Sequence, residues 1–122
     1  MKKRILIIDD EVDILKTTKL ALESRGYEVD TAESGQDWLG KFNSQAVDLL
    51  LLDLRLPDKN GFQIAREIKS HEVYKNIPII AFSAMSDSTS KQIAAKSDVL
   101  EFIDKPIDLD KLLFHIKDIL GE

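Results

Sequence analysis

Five short aliphatic runs, each followed by a longer segment with helical spacing, constrain this chain more than any other feature. The runs cover residues 5–8, 27–32, 47–52, 77–82 and 100–103. Runs of this length read as strands, and near-continuous aliphatic strands fit a sheet buried on both faces. Between them, Ile14, Leu15, Thr18, Ala21 and Leu22 fall on one face of a helix that should stop before Gly26. Trp38, Leu39 and Phe42 mark a second helix, weakened by Gly40 by about 1 kcal/mol relative to Ala. Phe62, Ala65 and Ile68, with Ile64 beside them, mark a third. Leu109, Leu112, Leu113, Ile116, Ile119 and Leu120 form the cleanest stripe, with Asp108 placed to cap its start. The segment 86–96 is mostly polar, with apolar residues only at 93–95, so it predicts a short, weakly held helix. Five strands alternating with five helices predict an α/β doubly wound parallel sheet, built as one domain over residues 1–122.

Charge and composition remove several function classes. The formal charge is −5, whereas nucleic-acid binding needs a basic face, so no direct nucleic-acid partner is expected. The chain has no cysteine, which leaves no disulfide framework, thiol nucleophile or zinc–thiolate site. The opening MKKR is followed by only four aliphatic residues before Asp9, too few for a secretory signal. No apolar run is long enough to span a bilayer. A cytoplasmic protein without a membrane partner is expected.

In a sheet of this kind, ligands sit beyond the carboxyl ends of the strands, near the point where strand order reverses. The strand ends carry chemistry here. The first run ends in Asp9-Asp10, the third in Asp53, the fourth in Ser83 and the fifth leads to Lys105-Pro106. Clustered carboxylates repel and raise one another's pKa unless a cation shares the site. Hard oxygen ligands forming an incomplete cage suit Mg²⁺, which keeps waters and often shares a phosphate oxygen. Ser83 and Lys105 then suit the remaining phosphoryl oxygens, by hydrogen bond and charge. Taken alone, Asp9, Asp10 and Glu11 would read as a solvated turn, and the constellation removes that reading for Asp9 and Asp10. Glu11 keeps it, because the first turn of a helix favours an acid. Trp38 and Phe42 read as core, and His71 and His115 sit without a ligand pattern.

The stretches IIDDE, LLLLDLRLPDKNG, AFSA and FIDKP, in that order, resemble the response-regulator receiver domain family. The resemblance covers the chain from Lys3 to about Leu120 and implies a flavodoxin-like (βα)5 fold with strand order 2-1-3-4-5. It implies that Asp53 is the phosphoacceptor, attacking a phosphohistidine on a sensor histidine kinase or histidine phosphotransfer protein. Asp10 would bind Mg²⁺ directly, Asp9 through water, and the backbone carbonyl of Arg55 would be the third protein ligand. Ser83 and Lys105 would hold the phosphoryl oxygens. Phe102 would be an aromatic switch, although an aromatic in a strand is more often core. Pro57 and Gly61 match the loop after the acceptor, and the Lys105–Pro106 peptide is implied to be cis. The segment 86–96, the fifth strand and the last helix would form the face that changes on phosphorylation. Arg55 and Met85 occupy the variable positions thought to set phosphoryl lifetime. Methionine cannot orient water by strong hydrogen bonds and arginine could hold a phosphoryl oxygen, so slow self-dephosphorylation is expected.

The resemblance implies no enzyme beyond phosphoryl transfer onto the chain itself and its loss. Only Gly121-Glu122 follow Leu120, so the signal is expected to reach a separate protein target, unless the sequence is part of a longer protein. Three other classes compete with this reading. A haloacid-dehalogenase-type phosphatase needs a second Asp two residues after its nucleophile, where this chain has Arg55. A flavodoxin-like electron carrier needs a Thr- and Gly-rich phosphate loop, where this chain has the repelling DDEVD. A phosphorylation-independent receiver-like module usually lacks one of the five site positions, and none is missing here.

Overall fold

The computed structural model describes residues 2–36, 38–54, 61–83 and 99–122, with Ser83 described for its backbone alone. Its strands are β1 (Arg4–Ile8), β2 (Glu28–Ala32), β3 (Leu49–Asp53), β4 (Ile79–Ser83) and β5 (Glu101–Asp104). They form one sheet in the order β2-β1-β3-β4-β5, and every neighbouring pair is parallel. The helices are α1 (Val12–Glu23), α2 (Trp38–Ser44), α3 (Gly61–Lys69) and a C-terminal helix (Leu109–Leu120). The helix expected over 86–96 lies outside the described residues.

Alternation along the strands divides the core into two layers. Ile5, Ile7, Leu49, Leu51, Ile80, Phe82 and Ile103 face Leu15 and Leu22 of α1 and Leu112, Leu113 and Ile116 of the C-terminal helix. Leu6, Ile8, Leu50, Leu52 and Ile79 face Trp38 and Phe42 of α2 and Ile64, Ala65 and Ile68 of α3. The runs in β1 and β3 are wholly excluded from solvent because helices cover both faces. Each such side chain contributes about 1.5–3 kcal/mol of transfer free energy.

Strands β2 to β5 begin one or two residues later than their aliphatic runs, whereas β1 begins one residue earlier, at Arg4. Tyr27, Val47 and Ile77 precede the ladders and pack against the core edges instead. At the other end, β3, β4 and β5 run on into Asp53, Ser83 and Asp104, since ladder bonding is indifferent to side-chain polarity. Two helix faces also differ from expectation. Leu39 is exposed, and α3 buries Gly61, Ile64, Ala65 and Ile68 with Phe62 only half-buried. Glu23 ends α1, and Gly26 takes a positive φ of 94° in the turn to β2, as a glycine there allows.

Candidate acidic site at the sheet rim

Strand order reverses between β1 and β3, and the ends of these two strands place Asp9 and Asp53 side by side. Both carboxylates are buried, at 0% and 3% exposure, while Asp10 and Glu11 are exposed. Asp9 directly follows β1, and its backbone N–H donates to the carbonyl of Ala32 at 3.0 Å, extending the β1–β2 ladder by one bond. Its Oδ1 accepts from the backbone N–H of Glu11 at 3.0 Å, which fixes the turn into α1.

Lys105 reaches this pair from the loop after β5. Its side chain is only 7% exposed, and its Nζ lies 2.8 Å from Asp9 Oδ2, 2.8 Å from Glu11 Oε1 and 3.1 Å from Asp53 Oδ2. The contacts to Glu11 and Asp53 are directed hydrogen bonds, whereas the approach to Asp9 Oδ2 is an ion contact outside hydrogen-bonding alignment. Burial alone would lower the pKa of this ammonium. The contacts with the carboxylates of Asp9, Glu11 and Asp53 outweigh it and hold Lys105 above the ordinary lysine value. The Lys105–Pro106 peptide is cis, as the resemblance implies.

Asp9, Asp10, Glu11 and Asp53 each offer a carboxylate oxygen, and the four atoms lie within 4.8 Å of one another. Among the described residues one lysine meets this cluster of four carboxylates, and such an all-oxygen donor set fits a hard divalent cation such as Mg²⁺. Gly61 brings the start of α3 against this rim. A Cβ there would lie 2.5 Å from the carbonyl oxygen of Asp53 and 2.7 Å from Leu54 Cα. Only glycine permits that approach, which the bond from Gly61 N–H to the Leu54 carbonyl closes at 3.1 Å.

The structure thus brings together Asp9, Asp10, Asp53 and Lys105, four of the residues singled out in the sequence. Ser83 ends β4 beside Asp104 of β5, and nothing is described of its side chain. Arg55, Pro57 and Met85 lie outside the described residues. Phe102 is half-buried in β5, beside Ala81 of β4. Glu11, expected from the sequence only as an acid at the helix start, also joins the cluster. It occupies the N-cap position of α1 without a side-chain cap bond, and sends its carboxylate to Lys105 instead.

Residues 5–117 match the family described as the response regulator receiver domain. The chain is 38% identical over 117 residues to the response regulator ArlR of Staphylococcus aureus, covering 96% of this chain and 52% of that protein. It is 38% identical over 113 residues to the CAI-1 autoinducer sensor kinase/phosphatase CqsS of Vibrio cholerae, covering 92% of this chain and 16% of that protein. The chain therefore spans about half the length of the first relative and a smaller part of the second. Among solved structures, a CheY-like response regulator receiver domain protein from Methanospirillum hungatei JF-1 superposes with a TM-score of 0.89. It is 31% identical, with 99% of this chain and 95% of that one covered.

Proposed function

The chain belongs to the response regulator receiver domain family, and from that premise we propose that Asp53 accepts a phosphoryl group from a phosphohistidine donor. The observation that carries the reading is the buried carboxylate of Asp53, held 3.1 Å from the Lys105 ammonium within a cluster of three further acids. An oxygen of Asp53 attacks phosphorus in line with the leaving imidazole. The new O–P bond forms as the N–P bond breaks, and the imidazole departs with the electron pair. Phosphoryl transfer asks little covalent chemistry of the protein beyond positioning and charge neutralisation. Aspartate is an established nucleophile of this kind.

Asp10 and Asp53, with Asp9 and the Arg55 carbonyl, would hold Mg²⁺, which supplies charge neutralisation of the phosphoryl oxygens when bound. Lys105 donates to one phosphoryl oxygen, and the Ser83 hydroxyl is assigned to another. The donor would be a sensor histidine kinase or a histidine phosphotransfer protein, and the reader a separate protein target. Support for a switching face over β5 and the C-terminal helix comes from two aromatics. Phe102 is only half-buried in β5, and Phe114 is 67% exposed.

Incubating the protein with a labelled small phosphodonor and Mg²⁺ tests the reading. Label should enter the parent only with Mg²⁺ present and should be absent from Asp53→Asn. Label retained on that variant would move the acceptor elsewhere. An unlabelled parent would favour a phosphorylation-independent module.

A further inference from the structure

The carboxylate of Glu11 has a place in the chemistry of this site, and the inference rests on the reading of Asp53 as phosphoacceptor. An ammonium has three donors and no acceptor. Among the described residues, Lys105 Nζ meets three carboxylates, those of Asp9, Glu11 and Asp53. Two of its three donors are committed to Glu11 and Asp53 by directed hydrogen bonds, and the ammonium is also held against the Asp9 carboxylate by charge. A phosphoryl oxygen on Asp53 must compete with these carboxylates for the ammonium.

The three partners differ in what leaving would cost. Asp9 is wholly buried, so withdrawing Lys105 would strand a carboxylate away from water, which is strongly unfavourable. Asp53 carries the phosphoryl group and cannot move away from it. The Glu11 side chain is 55% exposed, and an exposed ion pair returns to water at little cost. Glu11 is also free to go, because its side chain makes no cap bond to α1 and its backbone N–H is already held by Asp9.

We propose that Glu11 is a displaceable counter-ion: it occupies one donor of Lys105 in the unphosphorylated protein and gives that donor up to a phosphoryl oxygen. Glu11 is thus a positioning residue acting through Lys105. It keeps the ammonium over Asp53 and competes with the incoming anion for it. Removing this competitor should make phosphoryl-like anions bind more tightly.

Beryllofluoride, a phosphoryl mimic, tests this by direct binding at saturating Mg²⁺, followed by fluorine NMR. Two variants separate the contact from the charge. Glu11→Gln removes the carboxylate, whereas Glu11→Asp keeps it but is one methylene too short to reach Lys105 without a backbone shift. Half-saturation should fall at least threefold in both variants. If Glu11→Asp matches the parent while Glu11→Gln binds tighter, general charge repulsion explains the gain and the displaceable contact is wrong. Unchanged or weaker binding in both variants overturns it as well. A parent that fails to bind beryllofluoride defeats the phosphoacceptor reading itself, and this inference with it.

Discussion

At the scale of single residues, the described acids of the site differ in how they meet Lys105. Asp9 and Asp53 are buried against Lys105, while Asp10 is exposed and is not among that lysine's contacts. Asp10 is therefore the acid whose charge is best offered to a metal. Asp10→Ala should weaken Mg²⁺ binding at least about tenfold, or roughly 1.4 kcal/mol, in a calorimetric titration. Equal affinity in parent and variant would remove Asp10 from the ligand set. Gly61 makes a second residue-scale prediction. The Cβ of Gly61→Ala would meet backbone atoms of Asp53 and Leu54, which cannot swing aside as a side-chain tip can. Overpacking of this kind costs about 1–3 kcal/mol, so the denaturation midpoint should fall and phosphate uptake at Asp53 should fall with it. A variant as stable and as readily labelled as the parent would show that the rim tolerates displacement. Asp9, Asp10, Asp53 and Lys105 were legible in the sequence because strand ends converge in a parallel sheet. Glu11 was not, because its partner lies 94 residues away and the choice between helix start and lysine is made by tertiary placement.

At the scale of elements, the strands were legible from their aliphatic runs and the helices from their periodicity, while boundaries followed hydrogen bonding that residue type does not report. The C-terminal helix shows where local chemistry suffices. Asp108 accepts from the backbone N–H groups of Asp110 and Lys111 at 3.0 and 3.3 Å, and Gly121 closes the helix with a φ of 74°. Asp108→Ala should cost about 1 kcal/mol in a denaturant titration, whereas Asp108→Asn should cost much less. A contact between elements sets a pH dependence. The Tyr27 hydroxyl, just before β2, donates to Glu122 Oε1 at 2.6 Å, past the end of the C-terminal helix. Burial, then the bond to Glu122 and its charge, push the Tyr27 pKa from 10.0 up to about 12. A pKa raised in the folded state means that the folded chain holds this proton more tightly than the unfolded one. The stabilisation is full below pH 10.0 and is lost as pH rises through about 12. Melting temperatures measured between those limits should fall in the parent and fall less steeply in Tyr27→Phe. Parallel curves would mean that Tyr27 titrates alike in both states.

At the scale of the whole molecule, the sheet order decides where the negative charge collects. With β1 and β3 adjacent at the reversal of strand order, Asp9 and Asp53 share one crevice, although 44 positions separate them in sequence order. Two packed apolar layers hold both strands in place, so the carboxylates cannot relax apart without disrupting the core. Folding therefore assembles a repulsion that the unfolded chain, also carrying a formal charge of −5, does not concentrate. A divalent cation bound there would relieve it only in the folded state, so binding should appear as stability. At a free Mg²⁺ concentration ten times the dissociation constant, mass action adds about 1.4 kcal/mol. For a domain of this size that is a rise in melting temperature of about 5 °C. Sodium chloride at matched ionic strength should give a smaller rise, because screening acts on the whole surface and does not bridge the cluster. Asp10→Ala, measured at the same Mg²⁺ concentration, should lose most of the difference between the two salts. If the parent responds equally to both salts, or if Asp10→Ala keeps the full magnesium response, the cation is not bound at the strand ends and the stabilisation belongs to the general surface charge.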